Sequence, residues 1–277
     1  MNLALRKPSF PATMEKFYAD VLLPDGTVLL IYLGTVVLFG VRFARLTAEL
    51  FQPNGNVVRG SAIVSAIRGG ENHLEFGPAA IDGDLLSFET PGLSGVLRYD
   101  RRRAPCELRK PFLSAGGRSL TWSVEVPDAD VTGWIGWPGG SMAIQGRGYR
   151  DRVWFDLLPW RFPIRELVWG RAVAGSHAAT WVRATTRDGV VSESWLDGEV
   201  VSDAENVLVP PPVALGQSRA FLDSDLTDLK SLKLGWLRGV VDALGAGLHE
   251  TKYQAACLVH GVPGVAVHEV VRWPAPV

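Results

Sequence analysis

Short runs of β-branched and aromatic residues recur along most of this chain, and sequences typical of tight turns separate them. Clear examples are PDG at 24–26 and PNG at 53–55, each of which lies between two apolar runs. These residues favour hairpin turns, because glycine and asparagine accept a positive φ and proline presets the preceding bend. The pattern predicts antiparallel hairpins from the start of the chain and disfavours an α/β fold, which needs strands that alternate with helices.

The spacing of the turns is that of β-barrels or sandwiches. Apolar residues at the three- and four-residue spacing of a helix occur only in 232–244. We therefore predict an all-β fold of two consecutive antiparallel β-barrels, or strongly curved sheets, with one late helix near 232–244. The segments VPDAD at 126–130 and WPGG at 137–140 are interpreted as bracketing a crossover between two β units, so the predicted domains are 1–130 and 131–277.

Charge and cysteine usage argue against several classes of function. The formal net charge is −1 and both signs are dispersed, so we predict no nucleic-acid partner. The two cysteines, Cys106 and Cys257, have neither metal-binding nor redox spacing, which favours a reducing compartment, and the N-terminus lacks the apolar region of a signal peptide. Cytoplasmic localisation is the resulting prediction.

The apolar content points to an apolar partner. The longest apolar run, 28–41, is too short to span a bilayer as a helix, yet the mean hydropathy is +0.12. We expect an apolar small-molecule substrate; peripheral contact with a membrane surface stays open, and the oligomeric state is not predicted.

The stretch from Gly146 to Arg171 carries the strongest candidate for chemistry. On a strand, side chains alternate between two faces, which places Tyr149 and Asp151 together and Arg152 opposite. A buried carboxylate must be hydrogen-bonded, ion-paired or neutral. Asp151 is therefore either an acid whose pKa burial raises, with Tyr149 as its hydrogen-bond partner, or a structural residue paired with Arg152 or Arg171.

Six of the ten tryptophans lie between positions 122 and 169. Such crowding either fills a core or lines a ligand site, and aromatic faces stabilise positive charge that develops on a bound ligand. An acid beside them can protonate an alkene, with the rings stabilising the carbocation. The candidate lining residues are Trp137, Trp154, Trp160 and Trp169.

A second lone carboxylate, Glu269, falls on the apolar face of the last predicted strand, where it either takes part in catalysis or pairs with an arginine. Glu166 and Arg171 flank Trp169. If their strand lies next to the strand of Asp151, a charge-assisted pair with Arg150 or Asp151 would orient the acid.

No sequence motif indicates a cofactor or a metal. The five histidines show no metal-binding spacing, and no GxSxG, P-loop or dinucleotide fingerprint is present. We therefore predict neither a cofactor nor a metal site.

Several segments resemble the carotenoid 1,2-hydratase (hydroxyneurosporene synthase) family and its lipocalin-like two-barrel relatives, which include tocopherol cyclase and natural-product cyclases. They are KFYADVLLPDGTVLLIYL, WSVEVPDADVTGWI, GRGYRDRVWFDLLPWRFPIRELVWGRA and HETKYQAACLVHGVPGVAVHEVVRW. The resemblance implies two lipocalin-like barrels over nearly the whole chain. It also implies pocket roles for the residues that match: Gly148, Tyr149, Asp151, Trp154, Trp169 and Glu269.

Together these observations predict a cofactor-independent cyclase or hydratase. It would act on an apolar isoprenoid, polyene or polyketide-like intermediate by protonating a double bond in an aromatic-lined pocket. Two alternatives stay open. One is a pericyclic, Diels–Alder-type cyclase, in which the pocket folds a flexible substrate without proton transfer. The other is a non-catalytic lipocalin-like carrier of a lipid.

Overall fold

A computed structural model describes residues 3, 5, 8–9, 12–107, 111–156, 163–201, 209, 212–225 and 248–273. In these ranges every regular element is a β-strand and all paired strands are antiparallel, which confirms the all-β prediction. The helix predicted near 232–244 lies outside the described residues. The described part of the chain contains no helix with the length and apolar character needed to cross a membrane.

Twenty strands are described. They are β1 (Ala12–Leu22), β2 (Val28–Leu38), β3 (Val41–Phe51), β4 (Val57–Ile63), β5 (Ile67–Gly69), β6 (His73–Phe76), β7 (Ala79–Asp82), β8 (Leu85–Glu89), β9 (Ser94–Arg101), β10 (Cys106–Glu107), β11 (Leu113–Ala115), β12 (Arg118–Trp137), β13 (Gly140–Phe155), β14 (Ile164–Ala174), β15 (His177–Thr186), β16 (Val190–Leu196), β17 (Glu199–Val201), β18 (Val213–Asp225), β19 (His249–Val259) and β20 (Val262–Arg272).

Contacts divide the chain into two compact units, a first unit of Met1–Leu158 and a second unit of Pro159–Val277. The sequence placed the boundary after residue 130, which lies within β12. The crossover expected between 126–130 and 137–140 is wrong, because β12 continues through this segment to Trp137 and a tight turn then leads directly into its partner β13. Proline cannot donate to the ladder, and the strand accommodates Pro127 with register shifts between Val124 and Ala129.

The first unit is one strongly curved sheet in the order β4-β3-β2-β1-β13-β12-β9-β8-β7-β6-β5, with β10 and β11 also paired to β12. Its curvature brings the β4 segment to the loop between β8 and β9, where a Cβ at Gly92 would lie 2.1 Å from the carbonyl oxygen of Arg59. The concave face holds a continuous apolar core that includes Leu29, Leu46 and Leu97. The strongly curved sheets that the sequence predicted are confirmed.

The second unit is a seven-stranded sheet in the order β17-β16-β15-β14-β20-β19-β18. One of its faces packs a small core around Trp181, Val259 and Ala266. A Cβ at Gly170 would lie 2.2 Å from the Trp181 ring, so the close packing of this ring requires glycine on β14.

Candidate active site

Strand β13 lies between β1 and β12 in the first unit, and it carries the central candidate residues. The sequence Tyr-x-Asp occurs on both β1 and β13, as Tyr18–Asp20 and Tyr149–Asp151. Because the strands are antiparallel, Tyr18 lies opposite Asp151 and Tyr149 lies opposite Asp20. The predicted alternation thus holds, and two tyrosines and two aspartates share one face of the sheet.

The Asp151 carboxylate accepts hydrogen bonds from two neutral donors. The Tyr149 hydroxyl donates to Oδ2 at 3.0 Å, and the Trp122 indole Nε1–H donates to the same oxygen at 2.9 Å. The other oxygen, Oδ1, is buried and has no hydrogen-bond partner among the residues that the structure describes. The structure therefore brings Tyr149 and Asp151 together as expected and leaves one carboxyl oxygen able to donate a proton.

Aromatic rings and one ammonium complete this face. Tyr18 donates a hydrogen bond to Asp20 at 2.9 Å, and its ring centroid lies 5.3 Å from that of Tyr32 and 6.1 Å from that of Tyr149. The Lys16 ammonium lies 5.7 Å from the centre of the Tyr32 ring. The face is therefore rich in tyrosine, with cation–π contacts of the kind that stabilise positive charge.

The pKa of Asp151 is raised to about 7. Burial is the largest cause, because desolvation disfavours the charged carboxylate. The nearby Lys16 charge and the hydrogen bonds from Tyr149 and Trp122 lower the pKa, while the charge of Asp20 raises it. A carboxyl with this pKa is present in both protonation states near neutral pH, which suits general acid catalysis.

The opposite face of β13 contains buried charges. Arg152 forms an ion pair with Glu15 on β1, and its guanidinium lies 4.7 Å from the centre of the Phe17 ring. Arg152 therefore does not pair with Asp151 as the structural alternative supposed, because adjacent strand positions point to opposite faces. Arg150 donates to the carbonyl of Gly83 at 2.9 Å.

A small, partly open cavity borders this part of the sheet. Its lining combines apolar side chains such as Phe17 and Ile31 with Glu125, Arg150 and Asp151. Burial raises the pKa of Glu125 and lowers that of Arg150, and the opposite charge of each partner counteracts both shifts. Phe17 and Arg150 lie on the opposite face of the sheet from the Asp151 side chain, so this cavity borders that opposite face rather than the tyrosine-rich one.

Of the tryptophans proposed to line the pocket, neither Trp137 nor Trp154 lies on the Asp151 face of the first unit. Trp154 follows Asp151 on β13 but points to the other face. Trp137 lies opposite Gly140, at the far end of β13 from Asp151, and packs against the apolar core. Trp160 lies outside the described residues, and Trp169 belongs to β14 in the second unit.

Glu269 is buried in the second unit beside a lysine. Its carboxylate forms an ion pair with Lys252, which is fully buried and also lies 2.7 Å from Oε1 of Glu250. The Lys252 ammonium lies 5.7 Å from the centre of the Trp169 ring, and Trp169 is the register partner of Glu269. The partner of Glu269 is thus a lysine rather than the arginine expected from the sequence.

β14 and β13 belong to different sheets, so Glu166 and Arg171 do not lie on a strand next to that of Asp151, as the sequence analysis had assumed. Glu166 lies 3.3 Å from Arg272 in a partly exposed ion pair. Arg171 is fully buried on β14, opposite Thr180 and Val267.

Two functional residues were not predicted from the sequence: Trp122, the hydrogen-bond donor to Asp151, and Lys252, the partner of Glu269. The repeated Tyr-x-Asp pattern and the alternation of Lys16, Tyr18 and Asp20 were available as signals for the tyrosine-rich face. No residue close to Trp122 in sequence indicated its contact with Asp151. Which β13 residue lies near Trp122 depends on the register of β12, and this register shifts just after Val124.

No protein-family model matches the sequence, and no curated protein matches it by sequence. Similarity is found among solved structures. A protein from Nitrosomonas europaea described as an AttH aligns with a TM-score of 0.63 at 13% identity, over 97% of this chain and 97% of that one. CghA aligns with a TM-score of 0.64 at 13% identity, over 100% of this chain and 96% of CghA.

Kievitone hydratase from Nectria haematococca aligns with a TM-score of 0.55 at 11% identity, over 96% of this chain and 90% of the hydratase. CghA has also been solved with Sch210972, and that structure aligns with a TM-score of 0.61 at 13% identity over 99% of this chain and 95% of CghA. At these identities the likeness establishes a shared fold, and it extends over nearly the whole chain.

Proposed function

We propose that this protein is a cofactor-independent cyclase or hydratase that protonates a double bond of an apolar natural-product intermediate. The observation that carries the proposal is the geometry around Asp151. Its carboxyl is buried, receives two neutral hydrogen bonds on Oδ2, and has Oδ1 without a hydrogen-bond partner among the described residues. Asp151 is the proposed general acid.

In the proposed reaction, Asp151 transfers its proton from Oδ1 to one carbon of the alkene. The π electrons form the new C–H bond, the other carbon becomes a carbocation, and Asp151 becomes a carboxylate. Tyr149 and Trp122 stabilise this carboxylate through the hydrogen bonds that they already donate. The faces of Tyr18 and Tyr32 stabilise the cation, since ring quadrupoles attract positive charge.

Two fates of the cation distinguish the products. Attack by water, followed by loss of a proton to the Asp151 carboxylate, gives an alcohol and regenerates the acid. Attack by a second double bond of the substrate closes a ring, and loss of a C–H proton to Asp151 then completes the cycle. Both sequences conserve atoms and electrons without a redox cofactor.

The similar structures support this class of reaction. One is named as a hydratase of kievitone, and another was solved with the small molecule Sch210972. The family resemblance of the sequence also includes cyclases and hydratases.

Comparative metabolite profiling tests the proposal. Extract from source cells that lack the gene is incubated with the purified protein, and mass spectrometry identifies the compound that is consumed. Wild-type protein in ²H₂O should place solvent deuterium at the protonated carbon. Asp151→Asn should reduce turnover by about 10²- to 10⁴-fold, the usual contribution of a general acid.

Asp128→Asn is the matched control, because Asp128 is also buried but is ion-paired with Arg147 and Arg102. It should retain turnover, and thermal unfolding of both variants checks that they fold. Full turnover in folded Asp151→Asn would remove Asp151 from the role. Product without deuterium would favour the pericyclic alternative, and recovery of an unchanged bound ligand would favour the carrier.

A further inference from the structure

Three turns of the second unit lie at the same end of its sheet. They are the turns between β14 and β15, between β16 and β17, and between β19 and β20. In an antiparallel sheet every second connection falls at one end, and β14 pairs directly with β20. The fold therefore gathers residues that are far apart in sequence.

These turns bring together two imidazoles and one carboxylate. His177, Asp197 and His260 offer ligand atoms that all lie within 4.8 Å of one another. Nδ1 of His177 lies 2.6 Å from Oδ2 of Asp197, and the two imidazole rings are 4.9 Å apart. The spacing of histidines in the sequence gave no sign of this cluster, because each residue comes from a different hairpin.

The backbone at the cluster is consistent with a role for the side chains. Asp197 and His260 have positive φ angles of 52° and 51°, each followed by a glycine with positive φ. Asn-Gly or Gly-Gly would form such a two-residue turn more readily than His-Gly. The imidazole at position 260 is thus not explained by the requirements of the turn.

We propose that His177, Asp197 and His260 form a binding site for a divalent transition metal such as Zn²⁺. Two neutral imidazoles and a carboxylate suit metals of borderline softness, and Zn²⁺ binds both ligand types at about 2.0–2.2 Å. The Oδ1 atom of Asp197 also accepts a hydrogen bond from the backbone N–H of Ala178 at 2.9 Å, which fixes the carboxylate. Water molecules would complete the coordination.

The site is accessible and its ligands can adjust. His260 is exposed, whereas His177 and Asp197 have side-chain exposures of 31% and 25%. Because Asp197 and His260 lie in turns and His177 is the first residue of β15, small side-chain rotations can bring the ligand atoms to bonding distance without moving a strand. A bound ion would then join three hairpins at one end of the sheet.

Calorimetric titration of the full chain with Zn²⁺ in chelator-treated buffer tests the proposal. The wild type should bind one Zn²⁺ per chain. His260→Asn should weaken binding at least about tenfold, the usual effect of a perturbed metal site. Asparagine accepts a positive φ, so this variant preserves the turn. His177→Ala should weaken binding in the same way.

His249→Ala is the matched control. His249 also contacts an aspartate, with Nε2 lying 2.8 Å from Oδ1 of Asp223, but it is not part of a described cluster of three ligands. Its loss should leave Zn²⁺ binding unchanged. Titration with Co²⁺, followed by visible absorption, gives a second readout that should be lost in His260→Asn. Unchanged binding by His260→Asn, an equal loss in His249→Ala, or no binding by the wild type would overturn the proposal.

Discussion

The two units each bury a carboxylate on a face of the sheet, but they surround it differently. Asp151 in the first unit accepts hydrogen bonds from a tyrosine and a tryptophan, which are neutral. Glu269 in the second unit pairs with the ammonium of Lys252. Neutral donors leave the cost of burying charge largely uncompensated, whereas a cation offsets it. Asp151, and not Glu269, is therefore the buried carboxyl that can hold a proton for transfer near neutral pH.

Removing the cation should have the largest effect on stability. Lys252→Met leaves both Glu250 and Glu269 buried without their partner and should lower the free energy of unfolding by about 3–5 kcal/mol, as measured by urea denaturation. Arg272→Met is the control, because it breaks a partly exposed pair with Glu166 and should cost at most about 1 kcal/mol. Equal losses in the two variants would remove the distinction between a buried and a surface ion pair.

Asp151 should make the protein less stable as the pH rises. An aspartate in an unfolded chain has a pKa near 3.9, whereas burial raises the pKa of Asp151 to about 7 in the folded protein. Between these values the folded state holds a proton that the unfolded state has lost, so the free energy of unfolding falls with rising pH. The stabilisation that Asp151 contributes through its raised pKa is fully present below pH ~3.9 and is lost as the pH passes about 7.

The Asp151→Asn variant isolates this contribution, because asparagine does not titrate. Between roughly pH 5 and pH 7, urea denaturation should show the free energy of unfolding of the variant rising by about 2 kcal/mol relative to that of the wild type. The slope should be about 1.4 kcal/mol per pH unit in the range where Asp151 is ionised only in the unfolded state. Parallel pH profiles for the two proteins would mean that the pKa of Asp151 is not raised, and the proposed acid would lose its physical basis.

A smaller effect should follow from Tyr149→Phe. The hydrogen bond from Tyr149 lowers the pKa of Asp151, so its loss should raise that pKa further, by roughly one unit. The pH at which wild-type stability stops falling should then move upward in the variant. Tyr253→Phe, a tyrosine change in the second unit, should leave the profile in place; a shift of equal size there would count against a specific bond.

Much of the local structure could be predicted. The apolar runs and Gly-containing turns indicated antiparallel hairpins, and PDG at 24–26 and PNG at 53–55 fall between β1 and β2 and between β3 and β4. The period-two pattern also placed Tyr149 beside Asp151. These features depend on residues close in sequence, where turn chemistry and alternation act directly.

The pairing of charges could not be predicted in the same way. Arg152 was considered a partner for Asp151, but it pairs with Glu15, which lies 137 positions earlier in the chain. The contact exists because β1 and β13 are neighbours in register, with Glu15 and Arg152 on the same face. A strand carries no local signal of which distant strand will lie beside it.

Residues close in sequence were sufficient to predict antiparallel β-structure and to place Asp151 and Tyr149 on one face, because alternation and turn preference are properties of short segments. Three contacts were visible only in the folded protein: Trp122 donates to Asp151, Lys252 pairs with Glu269, and three hairpins bring two histidines to one aspartate. These contacts depend on strand order, register and bulges, which the whole fold sets, and they determine the charge and reactivity of each buried group.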